Sequence, residues 1–300
     1  MPDFDLSITI CSWNTLEDLR VCLASLVAAQ DDANFEVIVI DNASTDGSPD
    51  MVEKEFPQFR LLRQSKNLGF TGGHNVGLKA RRGRDVALLN SDTIVRYGAI
   101  RRMMQYMRDT PTAGIVGAKL LNPDGSLQFS CRQFPNPIAA AFRGTILGKL
   151  FPNNRFTRQY LMTDWHHDDP RKVDWVSGAA LFVRGEVIDE LGGLDPKYFM
   201  YCEDVDICKR CSEIGYDVMY VPDAIITHAI GRSTDKVANK MIVRFHRSML
   251  RYYAKHSLPQ SFVLFRPLLY IAAALALSAR ATLFLLKNFF DAIRRKLGMV

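Results

Sequence analysis

The chain is poor in the features that mark an exported or repetitive protein. Its N-terminus, MPDFDLSITIC, has no basic n-region and runs directly into a β-branched stretch, so no secretory leader is expected. Six cysteines in 300 residues (Cys11, Cys22, Cys131, Cys202, Cys208 and Cys211) are scattered rather than set in a framework, which suits thiols in a reducing cytosol. Cys208-x-x-Cys211 lies in a helical pattern with no strand and turn before it, which argues against a redox or zinc motif. There is no internal repeat and no low-complexity tract. Neither G-x-G-x-x-G nor a Walker loop occurs, so dinucleotide and P-loop readings lack support.

What is present is an ordinary globular composition, 48% hydrophobic and 23% charged. That is enough apolar area for one large domain, or a domain plus an appendage. The net charge of +6 is unevenly spread. From Lys236 onward there are 12 Lys/Arg and 1 acid, a charge of +11, whereas residues 1–235 hold 26 Lys/Arg and 31 acids, a charge of −5. A mildly acidic body, 1–235, therefore precedes a basic tail, 236–300, of the kind that meets nucleic acid or an anionic membrane.

Periodicity organises the body. SITIC (7–11) and FEVIVIDN (35–42) read as strands, and Leu16, Leu19, Leu23, Leu26 and Val27 recur between them at helical intervals. MVEKEF reads as a helix with Ser48 or Asp46 as its cap. FRLLRQ, DVALLNSD and AGIVGAKLL read as further strands, YGAIRRMMQYMRD as a helix, and NLGFTGGHNVGLKARRG as a glycine-rich turn opening into one. The alternation predicts an α/β fold, a mostly parallel sheet with helices on both faces. Ligands of such sheets sit at the carboxyl ends of the strands. VDWVSGAALFVRGEVIDELGG reads as one strand and a helix stopped at Gly192-Gly193, and FPNNRFTRQYLMTDWHHDDPRK as a long solvated loop.

Polar clusters fall at those strand ends. Asp41, in VIVIDNASTDGS, is placed to accept a hydrogen bond from a nucleobase, or simply to shape the turn. In KNLGFTGGHNVG, Gly69, Gly72, Gly73 and Gly77 either let backbone approach an anionic ligand or make a tight strand-to-helix turn. Asp92, in LLNSDTIV, suits a divalent cation or a cap. FMYCEDVDICKR sets Glu203, Asp204 and Asp206 within four residues, as a working site, a helix start, or both.

Taken in order with SWN (12–14), these motifs resemble the family 2 glycosyltransferases of the GT-A fold, over about residues 5–235, and within them the rhamnosyltransferase-like branch. The resemblance implies an inverting transfer from a nucleoside-diphosphate sugar, dTDP-rhamnose in this branch, to a hydroxyl of a lipid-linked or cell-surface glycan. It implies Asp204 as the base, Glu203 hydrogen-bonded to the acceptor, and Trp175 and Gly178 on the acceptor side. Asn14, Asp41, Asn67, Gly69, Gly72 and Asn75 would line the nucleotide sugar, and Arg232 would neutralise its diphosphate. Asp92 and His228 would hold Mg²⁺ or Mn²⁺. Asn90 stands where the family's usual DxD has its first acid, which leaves the metal one carboxylate fewer. The alternatives are a UDP-sugar donor, or a non-catalytic, membrane-bound carbohydrate-binding protein. A nucleotidyltransferase would need a basic, glycine-rich loop after the first strand, which SITICSWNT lacks.

In the tail, Lys236, Lys240, Arg244, Arg247, Arg251 and Lys255 recur every three or four residues and predict a helix with a continuous cationic stripe, ended by Pro259. The next apolar run, Pro267 to Ala279, is 13 residues long, about 20 Å as a helix against a hydrocarbon core of about 30 Å. The expectation is therefore amphipathic and apolar helices lying in an anionic membrane surface, with Arg266, Arg280, Lys287 and Arg294 toward the headgroups. Long apolar runs beside a basic helix argue against nucleic acid. A soluble donor and a lipid-held acceptor would meet at the cytoplasmic face of a bacterial inner membrane, with the protein peripheral or monotopic.

Overall fold

The computed structural model describes residues 3–136, 139, 142, 146–229 and 238–296. Within it the chain divides into two compact units, Met1–Pro196 with Glu203–Ile230, and Lys197–Cys202 with Gly231–Val300.

The first unit is built on one mixed sheet. Its strands are β1 (Phe4–Ser12), β2 (Phe35–Asp41), β3 (Arg60–Arg63), β4 (Gly83–Asn90), β5 (Thr93–Val95), β6 (Ala113–Leu121), β11 (Ala180–Val183) and β12 (Asp217–His228), in the order β3-β2-β1-β4-β11-β6-β12-β5. Two short strands, β7 (Leu127–Gln128) and β9 (Arg171–Lys172), pair at its margins, and β8 (Cys131–Arg132) pairs with β10 (Trp175–Val176) apart from it. All but β11 and β5 of the main path run the same way. β2 is buried at every position, as a strand covered on both faces must be. Register decides where chemistry can occur. Ser12 lies opposite Asp41 and Cys11 opposite Asn90, so the carboxyl ends of β1, β2 and β4 stop at one edge.

Helix α1 (Leu16–Val27) buries Leu19, Cys22, Leu23 and Leu26, the spacing of a single apolar stripe. α2 (Ser48–Glu55) starts from Asp46, whose Oδ1 accepts from the Ser48 N–H at 3.1 Å while its Oδ2 accepts from the Leu16 N–H at 3.0 Å. One carboxylate thus serves two helix starts. Burial raises its pKa, but these hydrogen bonds outweigh that and hold it below the usual range. α4 (Ala99–Asp109) buries Ile100, Met103, Met104 and Met107.

Three expectations change. α3 (Gly69–Ala80) begins at Gly69, so Gly72, Gly73 and Gly77 are helical rather than parts of a turn. Their reason is packing. A Cβ on Gly73 would come within 2.3 Å of Cys11 Sγ, and one on Gly77 within 2.8 Å of Thr9 and Ile40, so the helix lies almost on the sheet. The expected single strand of WVSGAALFV is two, β10 and β11, broken at Ser177–Ala179. The expected solvated loop contains a helix, Arg155–Leu161, and its His167 is buried. There the His167 ring stacks on Trp165 at 4.1 Å and lies 3.5 Å from Cys131 Sγ.

In the second unit a basic helix, Ala238–Tyr252, runs on through short helical turns that contain Pro259. Its cationic stripe is not uniformly free. Arg244 lies over the Phe199 ring at 3.8 Å and Arg251 over Tyr198 at 5.2 Å, while Ser248 Oγ donates to the Met200 carbonyl at 2.9 Å. Lys240 and Arg247 stay exposed, and Lys236 is outside the described residues. The apolar segment forms one helix, Arg266–Lys296, of 31 residues, about 46 Å long at 1.5 Å per residue. The stretch Val263–Asp291, which takes in the preceding short turn and most of this helix, is long and apolar enough to cross a membrane by length and composition. Asn288 of this helix donates to Asn239 of the basic helix at 3.0 Å.

Candidate active site

The turn after β2 forms the first wall of the site. Asp41 is buried, and both its carboxylate oxygens accept from the Ser44 N–H, at 3.3 and 3.2 Å. Asn14, with φ of 53°, takes the left-handed conformation that asparagine tolerates. Its N–H donates to Ser44 Oγ at 3.0 Å and its Oδ1 accepts from the Thr45 N–H at 2.7 Å, so the SWN and DNAST segments are one structure. Asn42 ties in the third segment, donating to the Gly69 carbonyl at 3.0 Å. Asn67 Oδ1 accepts from the Gly69 N–H at 2.8 Å and fixes the start of α3.

The second wall joins residues far apart in sequence. β5 pairs antiparallel with β12, and Thr93 lies opposite His228. That register brings Asp92 Oδ1 to 3.3 Å from His228 Nε2, with Asn90 Nδ2 at 3.2 Å from the same nitrogen. The other ring nitrogen, Nδ1, lies 2.7 Å from Gln128 Oε1. A carboxylate and an imidazole nitrogen that converge, each side chain only about a tenth exposed, are a donor pair that fits Mg²⁺ or Mn²⁺. No group of three or more His, Cys, Asp or Glu side chains suited to a metal occurs among the described residues. The remaining positions of an octahedron would thus fall to ligand oxygens and water.

The acids stand at the start of the helix Glu203–Glu213. Asp204 Oδ2 accepts from the Gly178 N–H at 3.1 Å and Oδ1 from the Val205 N–H at 2.9 Å. Burial raises its pKa, and those N–H groups and the charge of Arg132 pull it back. Glu203 is buried, and its Oε2 has no hydrogen-bond partner. Burial first, and the Asp204 charge second, push it well above the ordinary range. Of the two, Asp204 has the greater backbone stabilisation as an anion, so the pair ionises at Asp204 first. Asp206 is fully buried and accepts from Arg210 Nε at 2.8 Å. Arg210 in turn donates to the Leu191 and Gly193 carbonyls, so Asp206 supports the helix. Gly178 joins the two walls. A Cβ there would lie 3.3 Å from Asp204 Cβ and 3.5 Å from Phe70, and the next residue's carbonyl accepts from the Asn90 N–H at 3.0 Å.

Other candidates are placed differently. Asn75 commits its side chain to Leu194, donating to the carbonyl at 2.9 Å and accepting from the N–H at 3.0 Å. Trp175 is buried, donates to the Gln133 carbonyl at 2.8 Å, and carries Arg132 over its ring at 5.2 Å. Arg232 lies outside the described residues. Sequence reading missed Gln128, Arg132 and Phe70. Only Phe70 had a local signal, its place beside the glycines. The other two sit in two-residue strands whose position no periodicity reports.

Comparison with known proteins adds to this geometry. The family model described as "Glycosyltransferase like family 2" matches residues 2–244. An N-acetylglucosaminyl-diphospho-decaprenol L-rhamnosyltransferase of Mycobacterium tuberculosis is 31% identical over 264 residues, covering 84% of this chain and 85% of the relative. The dTDP-rhamnosyl transferase RfbF of Shigella flexneri is 24% identical, covering 77% and 72%. Among solved structures, the mannosyltransferase PcManGT of Pyrobaculum calidifontis, in complex with GDP-Man and Mn²⁺, superposes with a TM-score of 0.57 at 17% identity, covering 98% of this chain and 82% of that one.

Proposed function

The chain belongs to glycosyltransferase family 2, with the GT-A fold and rhamnosyltransferase relatives, and we propose that it moves L-rhamnose from dTDP-rhamnose to a hydroxyl of a lipid-linked glycan with inversion. The observation that carries the chemistry is the unequal pair of acids. Each Asp204 oxygen has a backbone donor, whereas Glu203 Oε2 has none among the described residues. Asp204 is thus the anion available to take a proton, and Glu203 is the neutral acid beside it.

In this reading the acceptor hydroxyl lies against Asp204. As its oxygen bonds to the anomeric carbon, its proton passes to the Asp204 carboxylate. The bond from that carbon to the diphosphate oxygen breaks on the opposite face, and its electron pair leaves with dTDP. Asp41 accepts a hydrogen bond from the thymine ring. Asn14, Asn67, Gly69 and Gly72 hold the turn and helix start against which the nucleotide lies. Asn75 acts through the Gly193–Leu194 backbone it grips. Gly178 keeps the space beside Asp204 clear for the acceptor, with Glu203 hydrogen-bonding it and Trp175 backing that side. Arg232 is assigned to the diphosphate. Asp92 and His228 would hold Mg²⁺ or Mn²⁺, which supplies charge neutralisation to the leaving diphosphate when bound.

The residue 236–300 tail is read as the membrane-associating part, at the cytoplasmic face of a bacterial inner membrane. Exposed Leu268, Ile271, Leu275, Leu283, Phe289 and Phe290 give it the apolar surface, and its cations suit anionic headgroups. The test is nucleotide release from UDP-, dTDP- and GDP-sugars with membrane lipid extract and Mg²⁺ or Mn²⁺. Release of dTDP from dTDP-rhamnose, lost in Asp204→Asn, is expected. Release from a UDP-sugar instead would replace the donor, and release unaffected by Asp204→Asn would remove the base.

A further inference from the structure

The geometry points to Gln128 as a positioning residue that fixes which nitrogen of His228 faces Asp92; the inference rests on reading Asp92 and His228 as the metal pair. Gln128 stands in β7, paired with Leu120 of β6, while β12 on the other side of β6 carries Thr227 opposite Leu121. This places its amide beside a histidine 100 residues away, at 2.7 Å from Nδ1.

The amide cannot turn round freely. Its Nε2 donates to Asn122 Oδ1 at 2.9 Å and to the His228 carbonyl at 3.2 Å, both of which only accept. Asn122 is itself oriented, because its Nδ2 donates to Ser126 Oγ at 2.9 Å and its N–H to the Ser126 carbonyl at 2.8 Å, across the NPDGS turn. Gln128 Oε1 must therefore face the ring, and Nδ1 must carry the hydrogen. Asn90 Nδ2, 3.2 Å from Nε2, is matched by a lone pair there. The Gln128 contact thus selects the tautomer, and the Asn90 contact agrees with it. The Nε2 lone pair then meets a carboxylate oxygen 3.3 Å away. Two acceptors at that distance repel unless a cation lies between them. Gln128 prepares a ligand nitrogen before any metal arrives, and the turn at residues 122–126 holds Gln128.

The test uses the full chain with ¹⁵N-labelled histidine, His228→Ala to assign the signal, and Mn²⁺ titration in the presence of dTDP followed by electron paramagnetic resonance. The wild type is expected to show the Nδ1–H tautomer without metal. Gln128→Leu is expected to show mixed tautomers and Mn²⁺ affinity reduced about 10–100-fold. An Nε2–H or doubly protonated ring in the wild type would overturn the inference. So would unchanged Mn²⁺ affinity in Gln128→Leu where His228→Ala loses it. If His228→Ala binds Mn²⁺ as the wild type does, the metal reading fails and the role of Gln128 falls with it.

Discussion

The backbone N–H of Gly178 donates to Oδ2 of Asp204 at 3.1 Å, across 26 residues of chain. This bond aims the carboxylate and favours its charged form. On the proposed function, Asp204→Asn keeps the shape but removes the base, and transfer should fall about 10²–10⁴-fold with dTDP binding retained. Gly178→Ala should lower turnover more than donor affinity, since its Cβ would press on Asp204 Cβ at 3.3 Å. Steady-state kinetics against donor and acceptor separate these outcomes.

The neighbouring glutamate sets a pH dependence of stability. Glu203 is pushed well above its ordinary value by burial, then by Asp204. An unfolded glutamate titrates near about 4.3. Above that pH the folded chain holds a proton the unfolded chain has lost, so stability falls as pH rises toward the folded pKa. Glu203→Gln should raise Tm at pH 8, by about 2–4 °C per kcal/mol recovered, and leave it unchanged at a pH below the unfolded value.

His74 acts in the opposite direction. It is fully buried, its Nδ1 lies 2.8 Å from Thr9 Oγ1, and burial lowers its pKa to about 3. The unfolded ring takes a proton below about 6.5. Stability contributed by the neutral ring should decline as pH falls from there toward about 3. Thermal melts across that range, with and without His74→Gln, isolate its share.

The contact between α3 and the sheet predicts a specific coupling. Gly73→Ala would place a Cβ 2.3 Å from Cys11 Sγ and should cost about 1–3 kcal/mol as an overpacked core. Cys11→Gly removes the obstructing atom. In the double variant the cost of Gly73→Ala should shrink, which urea midpoints arranged as a double-mutant cycle would report.

The tail should bind vesicles containing anionic lipid, and removal of residues 259–300 should abolish the interaction that survives high salt. Lys240→Ala with Arg247→Ala, the exposed cations, should weaken only the salt-sensitive part. Co-sedimentation at low and high ionic strength distinguishes the two.

Much of the first unit was readable because burial leaves a period. Leu19, Leu23 and Leu26 announce α1, and the unbroken apolar run of β2 announces a strand covered on both faces. The strand ends carrying Asp41 and Asp92 were visible for the same reason. The glycines of α3 were misplaced because glycine signals both turn and close approach, and only the position of Cys11 decides between them. Gln128 was invisible, since its partner His228 is distant in sequence and β7 is too short to show alternation. The cations of the basic helix looked free because their aromatic partners, Tyr198 and Phe199, lie in a six-residue segment assigned by pattern to the body.

The pairing of β5 with β12 also has a consequence in time. Asp92 is made early and His228 at the end of the last strand of the sheet, 136 residues later. A chain growing from the ribosome can form β1 to β4 and the Asp41 turn long before that strand emerges. The Asp92–His228 pair does not exist until β12 is laid beside β6 and β5 has found it in register. A slip of one residue would turn His228 to the opposite face of the sheet. Among the described site residues His228 is thus the last to leave the ribosome, and its pairing with Asp92 requires β12 and β5 to be in register.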